Sequence, residues 1–412
     1  MPVGVPTDTG YCCVEGGIAA TRCRFFFVRD GGIDGRCGHF VSRARTVRRC
    51  DLLRRLPLPS GASIVSRVRN VRVGIDTQLA RGTATGIGEY VRGLVGALAA
   101  TSIEAIALES MHFDPWRFDR RVFWDQVLLP IAAIRARVDL VHCASGTMPL
   151  VHAMPVVATV HDVAWLRVQA HARPYARAYF GAFQLARYRA AARIVVDSNF
   201  SRDELLACVD IDPALVDVVY PGVATDVMEV TRRREDAAPF ILAVGTVEAR
   251  KNLEVLVRAL ARLPALRVVS VGPSTPYRER CLALARELGV AQRLDVRGYV
   301  GRAEVLDLYA RATVAAVPST YEGFGYGVAQ ALCAGLPAVV AATSSLPEVA
   351  GDAAALVAPN DVAAWVREIG LIAADPIAAD ARAAAHRLRA CERFGWARAA
   401  RDVAATYARA LT

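Results

Sequence analysis

The sequence predicts an α/β protein built from two Rossmann-like domains that face each other across a cleft, and three observations carry that prediction. Short β-branched runs alternate with helical segments of about ten residues, the pattern of βαβ units in parallel sheets. The alternation occurs twice, interrupted by a looser charged stretch, TDVMEVTRRREDAAP. Glycines gather where strand runs give way to helices, which is where parallel sheets bind ligands. The 412 residues suffice for two or three domains with their own cores, and an apolar content of 54% with 22% charged residues is that of a globular chain.

Residues 1–70 read as an irregular or disordered extension, with no sustained period and LPLPSGAS near its end. It holds twelve arginines against five acids, whereas the remainder holds 38 basic and 35 acidic residues. The net charge of +10 is therefore mostly a property of this segment, and no nucleic-acid footprint is expected on the folded part. Five of the ten cysteines (Cys12, Cys13, Cys23, Cys37 and Cys50) crowd here without a CxxC pair, although Cys37 and His39 lie close. The other five (Cys143, Cys208, Cys281, Cys333 and Cys391) sit in apolar segments, as reduced core residues of a cytosolic protein would. Neither a signal peptide nor a membrane-spanning run is expected.

The first domain is expected over 71–235. VRVGIDT is a strand, ARGTATGIG a glycine loop and EYVRGLVGALAA a helix. VDLVHCA and PVVATVHDV read as buried strands, 173–191 as a long helix, and RIVVDS, RDELLACV and VDVVYPG as strand, helix and strand. The second domain, 236–395, opens with the strand FILAVGT and the helix NLEVLVRALARL. LRVVSVG, LDVRGYV, TVAAVPS and PAVVAA continue as strands with helices between them. No strand interrupts the helices from 361 to 411, and 396–412 is set apart as a C-terminal helix.

Two junctions carry the chemistry. In VGTVEARKNLEVL the strand ends at Gly245-Thr246, Arg250 and Lys251 follow, and Asn252 is suited to cap the next helix. Two cations at a helix N-terminus make a site for a diphosphate. An Arg-Lys pair on a loop is usually just solvated. Lys251, however, is the only lysine in the chain, which singles out a place where a compact ammonium differs from a guanidinium. In STYEGFGYGVAQALCAGLP, Glu322 lies just past a strand, placed to accept hydrogen bonds from sugar hydroxyls. Gly323, Gly325 and Gly327 would let the backbone approach a ligand, and an amphipathic helix follows. Gln330 sits just over one turn into that helix, on a face that could meet the same ligand. The bland alternatives are a capping acid and a surface glutamine.

These residues resemble the retaining family 4 glycosyltransferases of the GT-B fold, with a mannosyltransferase-like flavour. GTVEARKN and PSTYEGFGYGVAQALCAGLPAVVAATSSLPEVAGDAA carry the likeness, and GIGEYVRGL, WDQVLLP, DLVHCA, TVHDVAWL, DSNFSRDEL and VVYPGV follow in the family's order over about 71–411. The resemblance implies that Glu322 meets the transferred sugar, with Lys251, Arg250 and His161 as the other candidate catalytic residues. Gly245, Thr246, Gly323, Phe324, Gly325 and Gln330 would line the nucleotide-sugar site, and Gly86 and Gly88 the loop near its phosphates or the acceptor. His161 and Asp162 would lie beside the transferred sugar, although a lone histidine is more often a satisfied structural one. Ser344 and Ser345 precede LPEVAG, a turn whose backbone and Glu348 would shape the nucleotide pocket. The chain departs from the family at Gln330, where a second glutamate is usual, and at Thr246, where many relatives carry an arginine that Arg250 would replace.

The implied reaction moves a sugar, mannose first, from GDP-mannose or a UDP-sugar to a glycan or lipid-linked acceptor, on the cytoplasmic side and in peripheral contact with the membrane. No metal is expected. Asp210-Ile-Asp212, the only DxD triplet, reads as a loop away from the cleft. Two rivals stand beside this reading. One is a catalytically silent GT-B partner subunit, because of Gln330. The other is an NAD-dependent dehydrogenase, which fails because Val91 breaks the glycine fingerprint.

Overall fold

The computed structural model describes residues 70–81, 86–111, 117–167, 174–234 and 238–412. The chain divides into Met1–Ala62 and Ser63–Thr412, and the described residues all belong to the second part. The expected extension and its five cysteines lie outside the described residues, apart from Asn70.

Val71–Asp76 (β1), Ile103–Leu108 (β2), Leu140–Cys143 (β3), Val156–Val160 (β4), Arg193–Val196 (β5) and Val216–Val218 (β6) form one parallel sheet in the order β2-β1-β3-β4-β5-β6. Phe240–Val244 (β7), Arg267–Val271 (β8), Leu294–Gly298 (β9), Val314–Val317 (β10), Ala338–Ala341 (β11) and Ala355–Val357 (β12) form the other, in the order β12-β11-β10-β7-β8-β9. Two Rossmann-like lobes are what the alternation predicted. The strand order reverses between β1 and β3 in the first sheet and between β7 and β10 in the second. At such switch points the connections leave in opposite directions, so a crevice opens past the strand C-termini.

Interior strands are mostly apolar because helices cover both faces; β3, β4 and β11 are wholly buried, with His142 and Thr159 hydrogen-bonded to each other inside. The sequence reading missed β2 and β12. Both are edge strands with partly exposed residues, and β12 is three residues long. The long helix expected over 173–191 is a composite. Pro174–Arg177 and Gln184–Tyr188 are α-helical, with a π-helical turn over Ala178–Phe183 between them. The charged stretch after β6 is not loose where it is described. Arg232 donates to the carbonyls of Tyr309, Ala310 and Ala312 and to Asp380, which fastens it to the second lobe. Cys143, Cys281 and Cys333 are buried and free, and Cys208 and Cys391 are half-buried and free. Among the described residues, no helix is long and apolar enough to cross a membrane.

The C-terminal helices divide between the lobes. Pro376–Arg393 packs on the second, and Phe394 is part of its core. The chain then turns at Gly395, and Trp396–Ala410 lies on the first lobe, where Ala399, Val403 and Tyr407 join Val91, Leu94 and Leu98. Beside this return crossing runs the outward one: the N–H of Val223 donates to Phe394 O at 2.7 Å, and Val223 bridges Gly395. The indole of Trp396 fills the space between Gly93 and Gly222. A Cβ on Gly93 would stand 2.1 Å from Trp396 Cε2, and one on Gly222 would stand 2.3 Å from its Cδ2.

Gly93→Ala should therefore cost roughly 1–3 kcal/mol through overpacking, read as a lower urea midpoint. Adding Trp396→Leu to that variant should recover part of the loss, since it removes the atoms the new methyl would strike.

Candidate functional site

The second lobe builds its half of the site at the β7/β10 switch point. After β7 the chain passes Gly245, at φ 139°, against Gly272, at φ 142°, where a Cβ would stand 2.2 Å from Gly245 O. A 3-10 turn, Ala249–Lys251, then presents Arg250 and Lys251. Asn252 does not cap the following helix with its side chain. It adopts φ 53° and donates from Nδ2 to the carbonyls of Pro318 and Pro359, pinning the turn to two neighbouring loops.

Past β10, Glu322 is buried, only 7% exposed. Its Oε1 accepts from Lys251 Nζ at 2.5 Å and from Ser319 Oγ at 2.7 Å, and its Oε2 accepts from Arg250 at 2.9 Å. Its backbone is held as well: its N–H donates to Ser344 Oγ at 3.0 Å, and Ser345 Oγ donates to its carbonyl at 2.9 Å. Burial alone would raise the carboxyl pKa, but the two cations and the Lys251 and Ser319 hydrogen bonds outweigh it and bring it to about 2. Arg250 also meets Glu248 at 2.8 Å, so two cations face two carboxylates. Burial opposes the Arg250 charge, yet the two acids raise its pKa.

The first lobe contributes His161, just beyond β4. Its Nδ1 meets Asp197 Oδ2 at 2.7 Å and its Nε2 meets Ala144 O at 3.1 Å. Asp197 follows β5, the neighbouring strand, so two strand ends deliver the pair side by side. Both partners are acceptors, so the imidazole can satisfy them together only when doubly protonated. Burial disfavours that charge, but Asp197 and the carbonyl prevail and raise the His161 pKa. Tyr90 sits edge-on to the ring, centroids 4.9 Å apart. His161 is thus a satisfied residue that also borders the cleft. Asp162 beside it accepts from the N–H of Ala164.

Both halves line one cavity of about 920 Å³. Of the expected site residues, Glu322, Lys251, Arg250, His161, Gly86, Gly245, Thr246, Gly323, Phe324, Gly325 and Gln330 all border it. Gly88 does not: it is buried inside the Gly86–Leu98 helix, two residues after the exposed N-terminal glycine. Glu348 does not either. Its carboxylate accepts from the N–H groups of Asn199 and Phe200, from Asn199 Nδ2 and from Tyr220 OH, fastening the second lobe to the N-terminus of the first lobe's Asn199–Cys208 helix.

The glycine loop answers to different neighbours from those expected. Gly323 makes room for the opposite lobe rather than for a ligand. A Cβ there would stand 2.0 Å from His161 O, and its own carbonyl accepts from Ser198 and Ser201 of the first lobe. Gly325 is required by its φ of 93°. Phe324 borders the cavity but is anchored among Tyr220, Tyr326 and Phe394. The Tyr326–Cys333 helix is not amphipathic, since residues 328–333 are all buried. Gln330 is not a surface residue: its Oε1 accepts from Tyr309 OH at 3.0 Å, and its Nε2 lies 3.4 Å from Glu89 Oε2 of the first lobe. Asp212 of the DxD triplet spends its Oδ1 on the N–H of Ala214.

Among the lining residues that the sequence reading did not single out are Asp197, Tyr90, Glu89 and Trp396. Asp197 had a signal, an acid ending a strand as His161 does. Trp396 had none, since nothing local shows that the last helix returns to the cleft.

Residues 85–227 match the family model described as Glycosyltransferase Family 4, and residues 228–389 match Glycosyl transferases group 1. Over 236 residues the chain is 31% identical to the D-inositol 3-phosphate glycosyltransferase of Mycolicibacterium smegmatis, a stretch covering 54% of each chain. The chain spans about half the length of the curated relatives it matches. Among solved structures it resembles sucrose-phosphate synthase from Thermosynechococcus elongatus, with TM-score 0.68 and 20% identity over 82% of this chain and 98% of that one. It also resembles Anabaena Alr3699/HepE, solved with UDP and glucose, with TM-score 0.63 and 16% identity over 82% and 99%. The architecture is the GT-B arrangement.

Glu322 has a folded-state pKa depressed from an ordinary 4.5 to about 2, so its ion pairs contribute stability in full above the ordinary value. That contribution, about 3 kcal/mol, drains away as pH falls through about 2. Glu322→Gln should be less stable at pH 7 and show a flatter acid limb in urea denaturation at pH 2–7.

Proposed function

Because the chain carries a glycosyltransferase family 4 domain followed by a glycosyl transferases group 1 domain, we propose that it transfers a sugar from a nucleotide diphosphate sugar to an acceptor hydroxyl with retention of configuration. The observation that carries this reading is the cluster of Lys251, Arg250 and Glu322 at the strand-order reversal of the second lobe.

Cleavage of the donor builds negative charge on the departing diphosphate. Lys251 and Arg250 are fixed cations that can take this charge without reorganising, and the reading therefore assigns the task to them rather than to a divalent ion. Glu322 holds both cations in place and offers its oxygens to hydroxyls of the sugar. It is a poor base, because a carboxyl with a pKa of about 2 gains little by accepting a proton at neutral pH. His161 has both ring nitrogens engaged, with Asp197 and with the carbonyl of Ala144, so it offers no free lone pair as a base either. The acceptor's proton is best placed on a phosphate oxygen of the leaving group itself, on the face the diphosphate departs from, which gives retention.

GDP-mannose is the donor to test first, then UDP-sugars. The acceptor class is a glycan or lipid-linked hydroxyl, reached from the cytoplasmic side by peripheral contact with the membrane; an inositol phosphate joins the panel because of the curated relative's activity.

Incubation with nucleotide sugars, with and without EDTA, should release nucleoside diphosphate equally in both conditions. Loss of turnover in EDTA, restored by a divalent ion, would remove the metal-free part of this reading. Lys251→Ala should lower kcat/KM by on the order of 10²- to 10³-fold. Lys251→Arg should not restore it, because a planar fork does not reproduce a compact ammonium. Near-normal turnover of Lys251→Ala would exclude the lysine from the chemistry.

A further inference from the structure

Gln330 and Glu89 face each other across the cleft, and the geometry fixes the role of each. The hydroxyl of Tyr309, itself buried, donates to Gln330 Oε1 at 3.0 Å, which commits that end of the amide as an acceptor. The other end, Nε2, must then point to the carboxylate of Glu89, 3.4 Å away on the helix of the opposite lobe. Glu89 Oε1 also lies 3.6 Å from Arg302 of the second lobe, whose guanidinium is engaged with Asp226. Glu89 and Gln330 both border the cavity that Glu322 and Lys251 border.

A carboxylate at 330 would place one oxygen against the Tyr309 hydroxyl and the other against Glu89. Glu89 is only half-buried, but Gln330 is buried, and two carboxylates at that separation would repel, so a charged side chain at 330 is disfavoured. The neutral amide is therefore the residue that Glu89 permits.

We propose that Glu89 and Gln330 are one split recognition element, an acid and an amide supplied by opposite lobes, which together bind a hydroxyl of the nucleotide sugar and fix its orientation in the cleft. The element rests on the donor class proposed above. It makes Glu89 a specificity-determining residue and explains why an acid is absent at 330 without implying lost activity. Glu89 supplies the acceptor, and Gln330 supplies the donor that faces it. Each is within reach of a bound hydroxyl only when the lobes stand as they do here.

A charge exchange tests this. Gln330→Glu should raise the donor KM by about tenfold and lower the thermal midpoint, because it sets two carboxylates together. Glu89→Gln should raise KM by a few-fold with kcat nearly unchanged. The double variant Glu89→Gln/Gln330→Glu, which moves the acid across the cleft, should return KM to within about threefold of the parent and restore the thermal midpoint. A double variant whose KM and midpoint losses equal the sum of the single losses, in free energy, would overturn the pairing. A recovered midpoint with an unrecovered KM would overturn the hydroxyl-binding role and leave only a contact between lobes. If the parent binds no nucleotide sugar, the functional reading fails first and the hydroxyl-binding role fails with it. The midpoints of the three variants then still decide whether the two residues are matched.

Discussion

A carboxylate that is nine-tenths buried is tolerable only if its charge is met at once, and Glu322 is met from three directions. Its oxygens bind the cations of the turn after β7 and the hydroxyl of Ser319 after β10. Its backbone is gripped by Ser344 and Ser345 after β11. Three strand ends of one sheet are thereby tied together by a single acid. Remove it and Lys251 loses the carboxylate it is paired with while Arg250 keeps only Glu248, and breaking a buried pair by deleting one partner usually costs several kcal/mol. The same bonds that make the loops cohere keep the cations aimed into the cavity, so stability and electrostatic readiness share one cause.

The two lobes depend on this arrangement because they meet on it. The loop that begins with Glu322 continues through Gly323, whose carbonyl takes the hydroxyls of Ser198 and Ser201 and whose missing side chain admits His161. Nearby, Glu348 serves the N-terminus of a helix of the other lobe, where exposed N–H groups favour an anion. The cleft is therefore bounded by hydrogen bonds between lobes as well as by the residues that face its interior.

The sequence disclosed what repeats locally. Buried strands announced themselves by β-branched runs, and ten of the twelve were found; the two that escaped are the edge strands β2, interrupted by Glu104, and β12, only three residues long in an alanine-rich run, both partly solvent-exposed. Lys251, Arg250 and Glu322 were legible because they follow strand ends that parallel-sheet topology makes functional. Partners were not legible. Nothing in GFGYG shows that its first glycine, Gly323, accommodates a histidine carbonyl 162 positions earlier in the chain, and nothing around Gln330 shows a glutamate 241 positions away. These are consequences of how the lobes are apposed, which periodicity does not encode. Glu348 and Gly88, placed at the site by the family resemblance, do not border the cavity: Glu348 is spent on the other lobe's helix and Gly88 is buried inside its own helix.

The polypeptide passes between the lobes along two described segments that run side by side, near Val223 and near Gly395, and the hydrogen bond from Val223 to the carbonyl of Phe394 laces them together. A single tether would let one lobe swivel freely about the other. A laced pair resists twisting and favours bending about one axis, like a book with a sewn spine. Trp396 is stitched into that spine and also borders the cavity, so its indole would register how far the covers stand apart.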